Sequence, residues 1–135
     1  MTRSVDDLLA DSRGRISRVG PDELSEVISS GGLVIDIRPA HQRSTEGSLP
    51  GALVVERNVL EWRLDPGSPH RLPALRGHRQ QVIVVCSEGY ASSLAAASLA
   101  DMGFENAGDL AGGYRGWSEW ASSPTGQAEL QELPV

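Results

Sequence analysis

The sequence predicts an α/β fold: about five strands in a mainly parallel sheet, with helices on both faces. Two runs, Leu33-Val34-Ile35-Asp36-Ile37 and Val82-Ile83-Val84-Val85, are almost wholly aliphatic, as expected of strands buried on both faces. Segments with helix start and stop signals alternate with the strand candidates, the order that gives parallel pairing through helical crossovers. The length, 135 residues, suits one hydrophobic core.

The elements follow in order. Residues 1–15 carry Val5, Leu8 and Leu9 at amphipathic spacing and read as a short or frayed N-terminal helical extension. Ile16–Val19 is a brief strand. Gly20-Pro21-Asp22-Glu23 opens a helix, because proline suits the first helical position and acidic residues suit the positive end of the dipole. Gly31-Gly32 stops it near Ser29 or Ser30. After the first aliphatic strand, residues 38–50 form a polar connection with room for a short helix. Pro50-Gly51 turns the chain into a third strand candidate, Ala52–Val55. Residues 56–81 are irregular, with helical character at Val59–Leu64 and breaks at Pro66-Gly67 and Pro69. The strongest strand, Val82–Val85, precedes a helix over Ser92–Met102 closed by Gly103. Ala107–Leu110 is the last strand, and Gly112-Gly113 leads into a helix through Trp117 and Trp120. Residues 16–121 thus form the domain, and 122–135 read as a C-terminal tail. Trp62, Trp117 and Trp120 are expected to pack.

Composition narrows the function. Twelve basic and eighteen acidic residues give a formal charge of −6, which disfavours a nucleic-acid partner. No apolar run approaches the roughly 20 residues of a membrane span, and the first residues do not read as a secretory signal. A cytoplasmic location is therefore expected. All the basic residues are arginine, a usage that points to a GC-rich genome such as an actinobacterium's. The one cysteine, Cys86, cannot form an intramolecular disulfide, which agrees with a reducing compartment. His41, His70 and His78 are scattered, so neither a metal site nor a cofactor is expected.

In parallel sheets, ligands bind beyond the carboxyl ends of the strands. The segment leaving Val85 is Cys86-Ser87-Glu88-Gly89-Tyr90-Ala91, followed by Ser92-Ser93 at a helix start. Gly89 lets this loop curl with its amides inward, and the helix adds free N–H groups and its positive dipole end. Such a nest stabilises a thiolate or persulfide anion. The competing reading is a small buried strand-end cysteine.

Four segments carry a resemblance to one family. Val34-Ile35-Asp36-Ile37-Arg38 resembles an Asp-x-Arg strand end. Glu46-Gly47-Ser48-Leu49-Pro50-Gly51-Ala52 resembles a "Gly-His-Ile-Pro-Gly-Ala" segment. Val84 through Gly89 resembles the strand and active loop, and Leu110 through Trp117 a "Leu-x-Gly-Gly-x-x-x-Trp" ending. In this order and spacing they resemble the single-domain rhodanese-like sulfurtransferases.

The resemblance implies a rhodanese-like fold and a sulfurtransferase with Cys86 as nucleophile. Ser87, Glu88, Gly89, Tyr90, Ala91 and Ser92 would surround the transferred sulfur. The implied partners are a small sulfur donor or a protein persulfide, and a thiol or cyanide-type acceptor. Asp36 and Arg38 would pair to hold the turn beside the loop. Tyr90 would wall the pocket or cover the loop, and Ser92 and Ser93 would cap the following helix. The chain departs from the family pattern at Ala91, where arginine is common, at Ser48, where histidine is common, and at Gln42-Arg43, where an acidic-aromatic pair is common. The only charged loop residue is Glu88, whose carboxylate repels a dianion such as thiosulfate. Arg57, just past a strand, is a candidate to replace the loop cation. Two alternatives stand beside this reading: an inactive binding or redox-sensing module on the same fold, and a cysteine phosphatase. The second needs a longer loop ending in a clamping arginine.

Overall fold

The computed structural model describes residues 1–131. Five strands, β1 (Ser17–Val19), β2 (Leu33–Asp36), β3 (Leu53–Val54), β4 (Val82–Val85) and β5 (Ala107–Leu110), form one sheet in the order β1-β5-β4-β2-β3. Every pairing is parallel, so the expected mainly parallel sheet is parallel throughout the described residues. Seven α-helices are described with it: α1 (Val5–Gly14), α2 (Leu24–Ser29), α3 (Ala40–Glu46), α4 (Leu60–Arg63), α5 (Ala91–Asp101), α6 (Gly113–Ser122) and α7 (Pro124–Gln131). Short 3₁₀ turns at Pro21–Glu23 and Arg57–Val59 lead into α2 and α4.

The alternation of strand side chains divides the core in two. Leu33, Ile35, Val82, Val84 and Cys86 face one side, where Leu60 and Leu64 around α4 and Ala95, Ala96 and Leu99 of α5 cover them. Val34, Ile83 and Val85 face the other, beneath Leu24 and Val27 of α2 and Tyr114 of α6. Cys86 therefore continues the α5 face of the central strand. Small residues on α5 let that helix sit close to the sheet, which brings its N-terminus over the end of β4.

Three segments differ from the sequence expectation. The N-terminal helix is not frayed at its start: Ser4 Oγ accepts from the Asp7 amide at 3.1 Å, and the Asp7 carboxylate accepts from the Ser4 amide at 3.0 Å, a reciprocal cap. At its other end Arg13 and Arg15 tie the helix to Ser93 and Asp101, at the two ends of α5. The segment read as a tail continues as α7, while its last four residues, 132–135, lie outside the described part. Trp62 does not pack; it is 59% exposed on α4, because Leu60 takes the inward position of that short helix. No helix among the described residues is long and apolar enough to cross a membrane.

Candidate active site

The strand β4 ends at Val85, and the chain curls over residues 86–90 before α5 begins at Ala91. Cys86 is nearly buried, 9% exposed, with its sulfur inside this curl. The Gly89 amide donates to Cys86 Sγ at 3.2 Å and the Ser92 amide at 3.4 Å. Ser92 Oγ lies 3.3 Å from the same sulfur.

Four of the loop's carbonyls are held by other groups of the chain. The Cys86 carbonyl accepts from the Tyr114 amide at 2.8 Å, and the Ser87 carbonyl from the Arg115 amide at 3.0 Å. The Gly89 carbonyl accepts from Arg13 Nη2 and Arg18 Nη2, each at 2.8 Å. The Tyr90 carbonyl accepts from the Ser93 amide at 3.0 Å. All peptides described are trans, so each tied carbonyl turns the next amide the opposite way. The four amides that follow, of Ser87, Glu88, Tyr90 and Ala91, donate to no acceptor among the described residues. The sulfur thus accepts from two loop amides, and four further loop amides are left without an acceptor among the described residues.

Two glycines make the fit possible. Gly113, at φ +63°, brings the start of α6 against the loop; a Cβ there would stand 2.6 Å from the Cys86 carbonyl oxygen, the Glu88 nitrogen and the Ser87 carbonyl carbon. Gly89, at φ +88°, faces it from the loop side, where a Cβ would meet the Gly112 nitrogen at 2.9 Å. Side chains at either position would push the loop off the helix that ties its carbonyls.

Behind the sulfur lies a buried polar cluster that the sequence reading did not identify. Asp109, on β5 and fully buried, accepts from Ser92 Oγ and Ser93 Oγ, each at 2.8 Å. Arg18 Nε donates to its other oxygen at 2.9 Å. Ser92 and Ser93 are thus not helix caps; the residue before the helix is Tyr90, and no side chain caps it. Their hydroxyls go instead to the buried Asp109 carboxylate, whose lone pairs they satisfy together with Arg18. A charged residue inside a four-residue buried strand was the available signal for Asp109.

The turn beside the loop holds the other cluster. Arg38, fully buried, donates to Asp36 at 2.8 Å and to Glu46 at 3.2 Å, and stacks over the Tyr114 ring with 4.0 Å to the centroid. Burial alone would push Glu46 up, but hydrogen bonds from Ser87, Arg115 and Arg38 outweigh it and hold this carboxyl below its ordinary value. Ser87 Oγ lies 2.8 Å from both Glu46 and Gln42, so one of the family departures contacts the loop directly.

At the rim, Tyr90 is exposed, with Arg13 5.5 Å from its ring centroid. Ala91 is also exposed. Arg57, the candidate rim cation, pairs its guanidinium with Glu61, one helical turn on, at 2.9 Å. The cation beside Glu88 is Arg115, with 3.3 Å between Nη1 and Oε1 and a second bond, 2.9 Å long, to Glu46. Arg115 was visible only as a member of the Gly-Gly segment that runs to Trp117.

The sequence profile of the Rhodanese-like domain matches residues 20–119. The chain belongs to this family. The rhodanese-like protein GlpE of Ectopseudomonas mendocina, a thiosulfate sulfurtransferase, is 32% identical over 110 residues, covering 82% of this chain and 92% of that protein. The adenylyltransferase and sulfurtransferase MOCS3 of Oryza sativa is 31% identical over 109 residues. This chain spans only about a quarter of that longer relative (24%), so the rhodanese part is what the two share. Among solved structures, a Rhodopseudomonas palustris protein of unknown function, RPA3614, described as a possible tyrosine phosphatase, superposes with a TM-score of 0.80 at 27% identity, covering 92% of this chain and 95% of that one. The human single-domain sulfurtransferase TSTD1 superposes at 0.61 with 25% identity, covering 76% of this chain and 95% of that one. The α/β fold and the rhodanese-like family are therefore established, and relatives of this rhodanese domain are sulfurtransferases.

Proposed function

We propose that the protein is a sulfurtransferase that carries sulfane sulfur as a persulfide on Cys86. The observation that carries this reading is the six-amide loop. Two amides already hold Sγ, and four more are left without an acceptor, a surplus that suits one additional sulfur atom bearing negative charge.

In the first half-reaction the Cys86 thiolate attacks the outer sulfur of a donor persulfide. The donor's S–S bond breaks, its electron pair leaves with the departing thiolate, and the persulfide proton passes to that thiolate through water. In the second, an acceptor thiolate or cyanide attacks the outer sulfur, and Cys86 departs as thiolate with the electron pair. No net oxidation occurs, and one transfer is split into two easier ones. The loop amides hold the charge that builds on the sulfur in both steps.

The donor class follows from the rim. Glu88 stands at the mouth and is only partly offset by the exposed Arg115 pair, so a neutral or monoanionic persulfide, small or protein-bound, suits the site better than dianionic thiosulfate. A lone reactive cysteine suits a reducing compartment such as the cytoplasm, and the formal charge of −6 does not suit a nucleic-acid partner.

The test is a donor screen in which cyanolysable sulfur on the purified protein is measured after incubation with thiosulfate, glutathione persulfide and a protein persulfide. Uptake from a persulfide donor supports the reading; no uptake from any donor leaves a binding or redox-sensing module on the same fold.

A further inference from the structure

Arg13 lies in α1, ahead of the residues that match the family profile, yet it reaches the active loop. Its guanidinium makes three contacts there. Nη2 donates to the Gly89 carbonyl at 2.8 Å, Nε donates to Ser93 Oγ at 3.1 Å, and the group lies 5.5 Å from the centroid of the Tyr90 ring. Arg18 meets the Gly89 carbonyl from β1, but it also pairs with buried Asp109. The sequence separation from Gly89 is 76 residues for Arg13 and 71 for Arg18.

We propose that Arg13 is a positioning residue for sulfur transfer, acting through the Gly89–Tyr90 peptide. Two charged donors on one carbonyl hold that peptide in a single orientation. Because the peptide is trans, the Tyr90 N–H is then fixed pointing away from Arg13 and Arg18, without an acceptor among the described residues. The fork of Arg13 spans Gly89 and Ser93 together, so it also fixes the loop against the first turn of α5. The N-terminal helix is in this way part of the anion site, and a partner or modification that lifted it would weaken the site without touching Cys86. The role in transfer rests on the persulfide reading; the role in orienting the amides does not.

The test uses the fact that Cys86 is the chain's only cysteine, so alkylation reports this residue alone. Rates are measured with iodoacetate and with iodoacetamide at one pH. Their ratio cancels accessibility and the thiolate fraction, and reads how strongly the loop attracts an anion. Arg13→Ala lowers the ratio by about three- to tenfold, the scale of the net contribution of one hydrogen bond. Arg13→Lys keeps the charge but loses the fork, and recovers no more than half of the logarithmic loss. Ser4→Ala weakens the helix cap, lowers the melting temperature and leaves the ratio unchanged. An unchanged ratio in Arg13→Ala, recovery beyond half by Arg13→Lys, or an equal drop in Ser4→Ala would each overturn the proposal. Should the wild-type protein take up no sulfur at all, the persulfide reading fails while the ratio still decides the part played by Arg13.

Discussion

Arg115 and Glu88 face each other across the mouth of the loop, with 3.3 Å between Nη1 and Oε1. Both side chains are more than half exposed, so their attraction is screened, but together they set the field that an incoming anion meets. Glu88→Gln leaves the cation in place and removes the repulsion; kcat/KM for thiosulfate rises by about two- to fivefold, the scale of one exposed charge interaction. Arg115→Ala has the opposite effect. Thiocyanate formation with cyanide as acceptor measures both, and equal rates in Glu88→Gln and wild type would contradict the role given to this pair.

The start of α6 ties the Cys86 and Ser87 carbonyls only because Gly113 lets the backbones approach. Gly113→Ala forces the loop away and strains a residue at positive φ. Stability falls by about 1–3 kcal/mol, and sulfur uptake falls more than stability accounts for. Guanidinium unfolding alongside uptake at a temperature where the variant remains folded separates the two effects.

The Asp36–Arg38–Glu46 cluster is buried and mutually paired. Arg38→Ala leaves Asp36 without its counter-charge and costs about 3–5 kcal/mol. Urea unfolding should show a lower midpoint with little change in slope, the mark of lost stability in an otherwise similar fold.

Glu46 also gives the protein an acid limit. Its carboxyl is held below the ordinary value of 4.5, because hydrogen bonds from Ser87, Arg115 and Arg38 outweigh burial. A depressed carboxylate contributes stability that is fully present above the unfolded-state value and is lost as pH falls through the folded-state one. Stability should therefore decline below about pH 4.5. Glu46→Gln should lower stability at neutral pH and flatten that decline. Melting curves at a series of pH values check both; a wild-type curve parallel to that of Glu46→Gln below pH 4.5 would assign the acid limit elsewhere.

The parts of the site that were legible in the sequence are those written in local pattern. The aliphatic runs at Leu33–Ile37 and Val82–Val85 exist because a central parallel strand is covered on both faces, and the cysteine follows directly from the second run. The Gly-Gly at 112–113 marks a close approach of backbones, although which carbonyls it serves appears only in three dimensions. The supports that escaped notice join residues far apart in the chain. Arg13 and Arg18 contact Gly89 across more than seventy residues, and a sequence does not record where a guanidinium will end. Ser92 and Ser93 invited a helix-cap reading because that is the local use of serine at a helix start. Asp109, from a neighbouring strand, claims their hydroxyls instead. Arg57 was a candidate for the rim cation by its place after a strand; in the fold its guanidinium pairs with Glu61, one helical turn on.

The most direct measurement is the intact mass of the protein after incubation with a persulfide donor, taken under non-reducing conditions. One added sulfur on the wild-type chain, none on Cys86→Ser, and loss of that mass on adding a thiol or cyanide are the predicted results. An unchanged mass with every donor, or the same gain in Cys86→Ser, would contradict the claim that the loop amides hold a sulfur on Cys86.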